Sequence, residues 1–532
     1  MPKLLEHCNQ HSFSINVAKL GLNFFMFMVL KLRYKAMNIF TKLSLAIAVS
    51  AFFVGTVAKL ALSSPTQFKE TIPKIQLYAA VTPESDAIAV SVDWRAVKGQ
   101  MTGFEFGLNA YQGFRPENFN NSAYSKNLVY MSPGLIRYHN LGMLDDSKNA
   151  DGLINTDEKT WDADKIKSAL TSSFNTFGVN QPQRMINIPS WPTWMDANND
   201  GFLDTDQFDN YAKLCAELVK IVNKDNNFGV KYWEVTNEKE LQYFAPFHTY
   251  GGWGGLIDNS KPDHLNELIT IYNKVAVAMK QVDPTIQIGG SGTARPDLQP
   301  FYVPFIKGIV SNLDFFTYHF YATGSASTSD TDVYNVTNVI ADYTKLIVQA
   351  LNDASPNRHI PAVLDEFNIN WDSTTYDSRM RNNKGAVFDA LSIVKAIENG
   401  ANGTMAWNEK DDIFGKTSSQ DGLRPGAHLF HLLNALLVGY RATTTTSDDT
   451  AVIPFAVNNS AAGFKTYVII NRSNSPKQIK TNFNGWTPAQ KTLDKYEVSS
   501  LGYTYTTIDW NSVSAGNFIV PEHSVTLLSF KD

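Results

Sequence analysis

The run "KYWEVTNEKE", residues 231–240, sets an amide and a carboxylate, Asn237 and Glu238, at the end of a stretch whose tryptophan and valine mark a buried strand. Desolvating such groups is costly unless they are partnered or used. A second run, "PAVLDEFN" at 361–368, carries Glu366 in a similar place. Two carboxyl groups brought face to face can divide a reaction between them. One delivers and recovers a proton, and the other attacks a carbon or activates water. The bland alternative is solvated surface charge at two strand ends.

The elements that must position them are legible as alternation. Short β-rich runs occur at 103–109, 134–140, 184–189, 231–238, 285–290, 314–321, 361–368 and 403–409. Between many of them lie amphipathic helical patterns. In "TDQFDNYAKLCAELVKIVNK", Phe208, Tyr211, Leu214, Cys215, Leu218 and Val222 fall on one stripe. Eight such units predict an α/β fold, a (β/α)8 TIM barrel spanning 98–442. After Tyr440 the pattern changes to short strand-like runs, which predict an accessory C-terminal β-sandwich over 443–532. Strands at 74–97 precede the barrel and are expected to join that sandwich. In such barrels the strand C-terminal ends carry the chemistry, so Asn237, Glu238 and Glu366 share one face. Paired carboxylates there suit the cleavage of glycosidic bonds.

The motifs make this specific. "WEVTNE" resembles the fourth-strand signature of clan A retaining glycoside hydrolases, and "LDEFN" resembles their seventh-strand nucleophile motif. "DFFTYHFY" is similar to the sixth-strand segment of family 39, the β-xylosidases, α-L-iduronidases and relatives. "IRYHN" resembles the second-strand arginine motif, and Trp407 sits where an eighth-strand tryptophan is expected. The resemblance covers residues 100–440. It implies that Glu238 is the acid/base, protonated in the free enzyme, and that Glu366 is the nucleophile. It further implies that Asn237 binds the sugar 2-hydroxyl, that Arg137 and Tyr321 keep Glu366 ionised, and that His139 and His319 line the sugar subsite. Two departures stand out. Lys239 follows Glu238 where many relatives have proline, and Asp365 precedes Glu366 where many have threonine or serine. Arg137 could instead serve a structural ion pair, the two histidines a satisfied core, and Trp407 packing.

Aromatic residues crowd the predicted loops. Trp191, Trp194, His248, Tyr250, Trp253 and Trp371 are candidates for stacking on sugar faces, with Trp191 and Trp253 the foremost. An acidic loop, "DANNDGFLDTDQ", places Asp196, Asn198, Asp200 and Asp204 at the spacing of a calcium loop, with Gly201 at its turn and Gln207 where a bidentate glutamate is expected. A second partial match occupies 147–158. Any calcium would be structural. The chemistry itself requires no cofactor.

Composition bounds the rest. The 532 residues include a leading segment, 1–63, set aside from the fold. Met37 opens a lysine-then-apolar-then-small pattern that reads as an export signal, with an uncleaved anchor as the alternative. Residues 1–62 hold seven basic residues and one acidic residue. The remainder therefore has 39 basic against 50 acidic residues, a net of −11. That charge argues against nucleic-acid and anionic-membrane partners and leaves carbohydrate as the expected partner. The mature chain is expected outside the cytoplasm: secreted, periplasmic or on the cell surface. Cys8 lies in the leading segment and Cys215 on an apolar helix stripe, so no internal disulfide is expected. The expected activity is retaining hydrolysis of β-glycosidic bonds in an oligo- or polysaccharide. The alternatives are an endo-acting clan A polysaccharidase of another specificity (agarase-, porphyranase- or xylanase-like) and a non-catalytic carbohydrate-binding protein on the same scaffold.

Overall fold

The computed structural model describes residues 87–244 and 264–531. Eight parallel strands close into a ring: β1 (Gly107–Ala110), β2 (Leu135–Tyr138), β3 (Gln183–Ile188), β4 (Tyr232–Val235), β5 (Gln287–Thr293), β6 (Phe315–Thr323), β7 (Ala362–Asn370) and β8 (Gly403–Ala406). Neighbours in sequence are neighbours in the ring, and β8 closes on β1. Each strand lies on one of the eight predicted runs, though several are shorter. β1 is preceded by a 3-10 turn at Phe104–Phe106, entered through Gly103 at φ +95°. β4 stops at Val235, short of Asn237 and Glu238.

A helix follows every strand: α1 (Ser122–Met131), α2 (Ala163–Phe177), α3 (Phe208–Val219), α4 (Leu265–Val282), α5 (Gln299–Ile309), α6 (Asp330–Ala354), α7 (Asn383–Glu398) and α8 (Pro425–Leu436). Their limits have local causes. The Asp162 side chain accepts from Lys165 N–H at 2.9 Å and caps α2. Ser329 caps α6 by accepting from Asp332 N–H at 3.1 Å. The stripe read on α3 is buried throughout, and the helix ends in a π turn over Lys220–Asp225. Fully buried side chains of this size contribute ~1.5–3 kcal/mol each, and they join helices and strands in one continuous core.

The strand Ile88–Met101 leads into the barrel but belongs to the terminal sheet. That sheet also contains β9 (Gly439–Thr446), β10 (Val452–Asn459), β11 (Phe464–Asn471), β12 (Lys477–Asn484), β13 (Thr492–Ser499), β14 (Gly502–Asp509), β15 (Phe518–Val520) and β16 (Ser524–Lys531). The leading strand lies between β9, antiparallel, and β12, parallel. Hydrogen bonds link these strands into one nine-stranded β domain over the C-terminal region, as expected of the accessory domain. It encloses a core of its own around Trp94, Tyr467, Ile479 and Phe530. Alternate residues, among them Phe455, Val468 and Leu527, turn the other way and merge with the barrel core. There α7 and α8 meet the sheet. Among the described residues, no helix is long and apolar enough to cross a membrane. The leader and anchor readings of residues 1–63, and the strand expected at 74–80, fall outside the described residues.

Candidate active site

The register of the ring sets polar side chains opposite one another. Asn109 on β1 pairs with Arg137 on β2, Asn187 on β3 with Glu234 on β4, and His319 on β6 with Glu366 on β7. All six are buried. On β7 the pairing slips: Leu364 faces Tyr318 and Glu366 faces His319, which leaves Asp365 as an extra residue. A bulge of this kind breaks the two-residue alternation of a strand. Asp365 and Glu366 are therefore consecutive, yet both reach the Arg137 guanidinium.

Arg137 is the hub. Its Nε donates to Glu234 Oε2 at 2.7 Å and lies 3.1 Å from Asp365 Oδ2. Its Nη1 donates to Asn109 Oδ1 at 2.9 Å and to Glu366 Oε2 at 3.1 Å, and Nη2 donates to Asn237 Oδ1 at 2.7 Å. Tyr321 donates to Glu366 Oε1 at 2.6 Å. Both oxygens of Glu366 thus accept a hydrogen, an arrangement that favours a carboxylate.

Glu238 is reached differently. Beyond β4 the backbone enters the left-handed region at Thr236, φ +67°, and again at Glu238, φ +54°. Both are strained for residues with a Cβ, threonine most of all. Three backbone bonds hold the turn: Thr236 N–H to Ile188 O, Asn237 N–H to Pro189 O and Glu238 N–H to Gly292 O, at 2.9, 3.1 and 2.9 Å. The Glu238 side chain remains 32% exposed, and its Oε1 lies 2.8 Å from His319 Nδ1. Burial alone would depress the His319 pKa, but Glu366, Asp365 and Glu238 outweigh it and raise it to about 10. These neighbours favour the charged form of His319, whose Nδ1 faces Glu238. One oxygen each of Glu238 and Glu366, with a ring nitrogen of His319, all lie within 4.8 Å of one another.

The remaining expected residues divide. Burial, then the charge of Arg137, push the His139 pKa down to about 3. The neutral ring meets Asn187 Oδ1 at 2.7 Å and packs on Trp407. Trp407 also meets Tyr111 edge-on at 5.4 Å. Trp191 is no platform for a sugar. It is buried, Tyr211 and Tyr243 meet it edge-on, and the Lys239 ammonium lies 4.2 Å from its ring centre. That contact also answers the departure at Lys239, whose ammonium turns to Trp191 and donates to Gln242 Oε1 at 3.0 Å. The group that meets Glu238 is His319 instead. Trp371 is 53% exposed just beyond β7, with its indole lying against Gly324. Trp253, His248 and Tyr250 lie outside the described residues.

In the acidic loop, Asp196 accepts from Asp200 and Gly201 N–H at 3.0 and 2.9 Å, and Asp204 accepts from Ala197 N–H at 3.0 Å. Asn198 donates to Asp200 Oδ2 at 2.9 Å. The donor set is all oxygen and Gly201 supplies the turn at φ +89°, as a calcium loop requires. Among the described residues, however, the one close set of three ligating side chains is Glu238, His319 and Glu366. In the second loop, Asp151 is taken by a two-pronged pair with Arg115, which removes the central ligand of that match.

Sequence reading gave no role to Glu234, Asn109 or Asn187, and noted Asp365 only as a departure. The available signal was a polar residue among the apolar ones of a buried strand, such as Glu234 in "YWEV" and Asn187 in "RMINI".

Residues 257–416 match the family model described as Glycosyl hydrolases family 39. The match spans His319, Tyr321, Glu366 and Trp407 and begins after Glu238. No curated protein matches in sequence. Among solved structures, a GH39 β-xylosidase from Caulobacter crescentus is similar at 17% identity and TM-score 0.55, covering 84% of this chain and 100% of that one. CelM2, a bifunctional glucanase-xylanase from a metagenome library, is similar at 15% identity and TM-score 0.58, covering 84% and 99%. An α-L-arabinofuranosidase from Thermotoga maritima is similar at 14% identity and TM-score 0.58, covering 84% and 100%. At these identities the structures establish a shared fold. The resemblance to family 39 thus rests on residues 257–416, set within a fold that these solved glycosidases share.

Proposed function

We propose that the protein hydrolyses β-glycosidic bonds of an oligo- or polysaccharide with retention of configuration, Glu366 being the nucleophile and Glu238 the acid/base. The observation that carries this reading is the approach of their carboxylate oxygens to within 4.8 Å. Retaining enzymes hold the two groups ~5–5.5 Å apart, whereas inverting enzymes leave ~6.5–9.5 Å for a water. Glu366, with both oxygens hydrogen-bonded, attacks the anomeric carbon as the bond to the leaving oxygen breaks. Glu238 passes a proton to that oxygen from Oε2, which has no other partner among the described residues, while Oε1 is held by His319. In the second step Glu238 takes a proton from water, whose oxygen displaces Glu366. Asn237 gives its Oδ1 to Arg137, which leaves Nδ2 for the sugar 2-hydroxyl. In this reading the proton that Glu238 delivers is exchanged within its hydrogen bond to His319.

The test is proton NMR of the first-formed product from an aryl β-glycoside. The β-anomer should appear first, and first appearance of the α-anomer would overturn the reading. An endo-acting polysaccharidase is the second reading, favoured by the exposed Trp371 at the rim. Two further proposals rest on sequence pattern: export directed by residues 37–63, and a structural calcium ion held by Asp196, Asn198, Asp200 and Asp204.

A further inference from the structure

Four carboxyl groups and two basic side chains meet in this barrel, and the hydrogen bonds distribute unevenly among the carboxyls. Glu234 Oε2 accepts from Arg137 Nε and from Asn187 Nδ2, both at 2.7 Å. Among the described residues, Glu234 Oε1 and both oxygens of Asp365 are buried without a well-directed hydrogen bond, though Arg137 Nε lies 3.1 Å from Asp365 Oδ2 and the equally unpartnered His319 Nε2 lies 3.6 Å from Oδ1. Asp365 and Glu234 are wholly buried and converge on the same Arg137 Nε, at 3.1 and 2.7 Å. Three orphan carboxylate oxygens in one dry site would be costly. One proton between the two groups satisfies two of the three and leaves a single Asp365 oxygen to the nearby nitrogens of Arg137 and His319.

We propose that Glu234 and Asp365 share one proton and act as a positioning pair, holding Arg137 against Glu366 with a single negative charge between them. Neither touches the reacting atoms. Their office is to anchor the guanidinium and to limit how strongly it pairs with Glu366, so that Glu366 stays ionised yet nucleophilic. The directions of ionisation agree. Burial opposes ionisation of Glu234, but the charge of Arg137, hydrogen bonding from Asp365 and Thr317, and the charge of His319 together outweigh it and hold the group below the ordinary range. Burial and then Glu234 push Asp365 well above the ordinary range. The charged or titratable groups that face the pair are Arg137 on β2, His319 on β6, at 3.6 Å from Asp365 Oδ1, and Glu366 on β7 itself. His139 on the β2 side is neutral, and Asn109, Asn187 and Thr317 complete the surroundings. The bulge at Asp365 makes the pair possible, because regular alternation would turn Asp365 away from Glu234.

The inference rests on Glu366 as nucleophile, so its test has one arm that needs no activity. In the wild-type protein at neutral pH, infrared difference spectroscopy with ¹³C-carboxyl-labelled aspartate should shift a protonated-carboxyl band. Absence of that shift overturns the proposal even if the enzyme is active, and its presence supports the pair even if no glycoside is cleaved. The second arm reads kcat/KM against pH on an aryl glycoside. Asp365→Asn and Glu234→Gln each leave one charge and one donor, and each should stay within about 10-fold of wild type. The double variant has no anion, and the losses should exceed the product of the singles by about 100-fold, the upper range for residues in contact. Its acid limb should also move to lower pH, because Arg137 then pairs with Glu366 alone. Losses that simply multiply, with the acid limb unmoved, would reduce the pair to packing and overturn the proposal.

Discussion

Tyr321 donates its hydroxyl hydrogen to Glu366 Oε1 over 2.6 Å, and that bond is short because a carboxylate receives it. Removing the donor with Tyr321→Phe takes one hydrogen bond from Glu366. A hydrogen bond to a charged group contributes about 1.5–3 kcal/mol, so kcat/KM should fall about 10- to 100-fold. An unchanged kcat/KM would show that Tyr321 does not support the nucleophile.

The two glutamates should separate in rescue experiments. Glu366→Ala should abolish turnover of every substrate, because no covalent intermediate can form. Glu238→Ala should keep the first step for aryl glycosides with good leaving groups, which need little protonation. Added azide should then restore its turnover with retained configuration. Azide rescue of Glu366→Ala instead, with an inverted product, would reverse the two assignments.

Glu240 offers a stability test independent of substrate. Its carboxyl is fully buried beside Glu238, accepts from Arg295 N–H at 3.0 Å and has no partner for Oε2 among the described residues. Burial, then the charge of Glu238, raises its pKa from 4.5 to about 8. A carboxyl raised on folding favours the fold below its unfolded pKa, and that contribution fades as pH rises towards its folded value. Through this group the wild type should lose stability between pH 4.5 and about 8, at about 1 kcal/mol per pH unit. Glu240→Gln keeps the neutral shape and should flatten that slope, so its advantage in Tm should grow from pH 5 to pH 7.5. Parallel Tm curves for the two proteins would contradict the assignment.

Calcium is tested by chelation. If Asp196, Asn198, Asp200 and Asp204 hold an ion, a chelator should lower Tm, while turnover of the still-folded enzyme should hardly change. Calcium at 100 times its Kd stabilises by ~2.7 kcal/mol, which is readily measured. An unchanged Tm, with no heat of binding in calorimetry, would leave the loop as an Asp-rich turn.

What the sequence determined by itself was periodic and local. Strand runs alternating with apolar stripes dictate a (β/α)8 ring, because each stripe must be buried and each parallel pair needs a crossover. The fold in turn brings Asn237, Glu238 and Glu366 to one end of the ring. What only tertiary structure decided depends on register and on neighbours far along the chain. A one-residue slip in pairing is invisible in "VLDEFN", yet it turns Asp365 inward beside Glu366 and builds the Glu234–Asp365–Arg137 cluster. Lys239 reads as a cation next to the acid. The positive φ at Glu238 parts the two side chains, sending Lys239 to Trp191 and giving Glu238 to His319, 81 residues away. Trp191 reads as an exposed loop aromatic and is buried by helix and loop residues that no local pattern links to it. Side-chain periodicity determines which face is apolar. Which charge meets which across the barrel is determined by strand register and by backbone strain, and both exist only once the ring has closed.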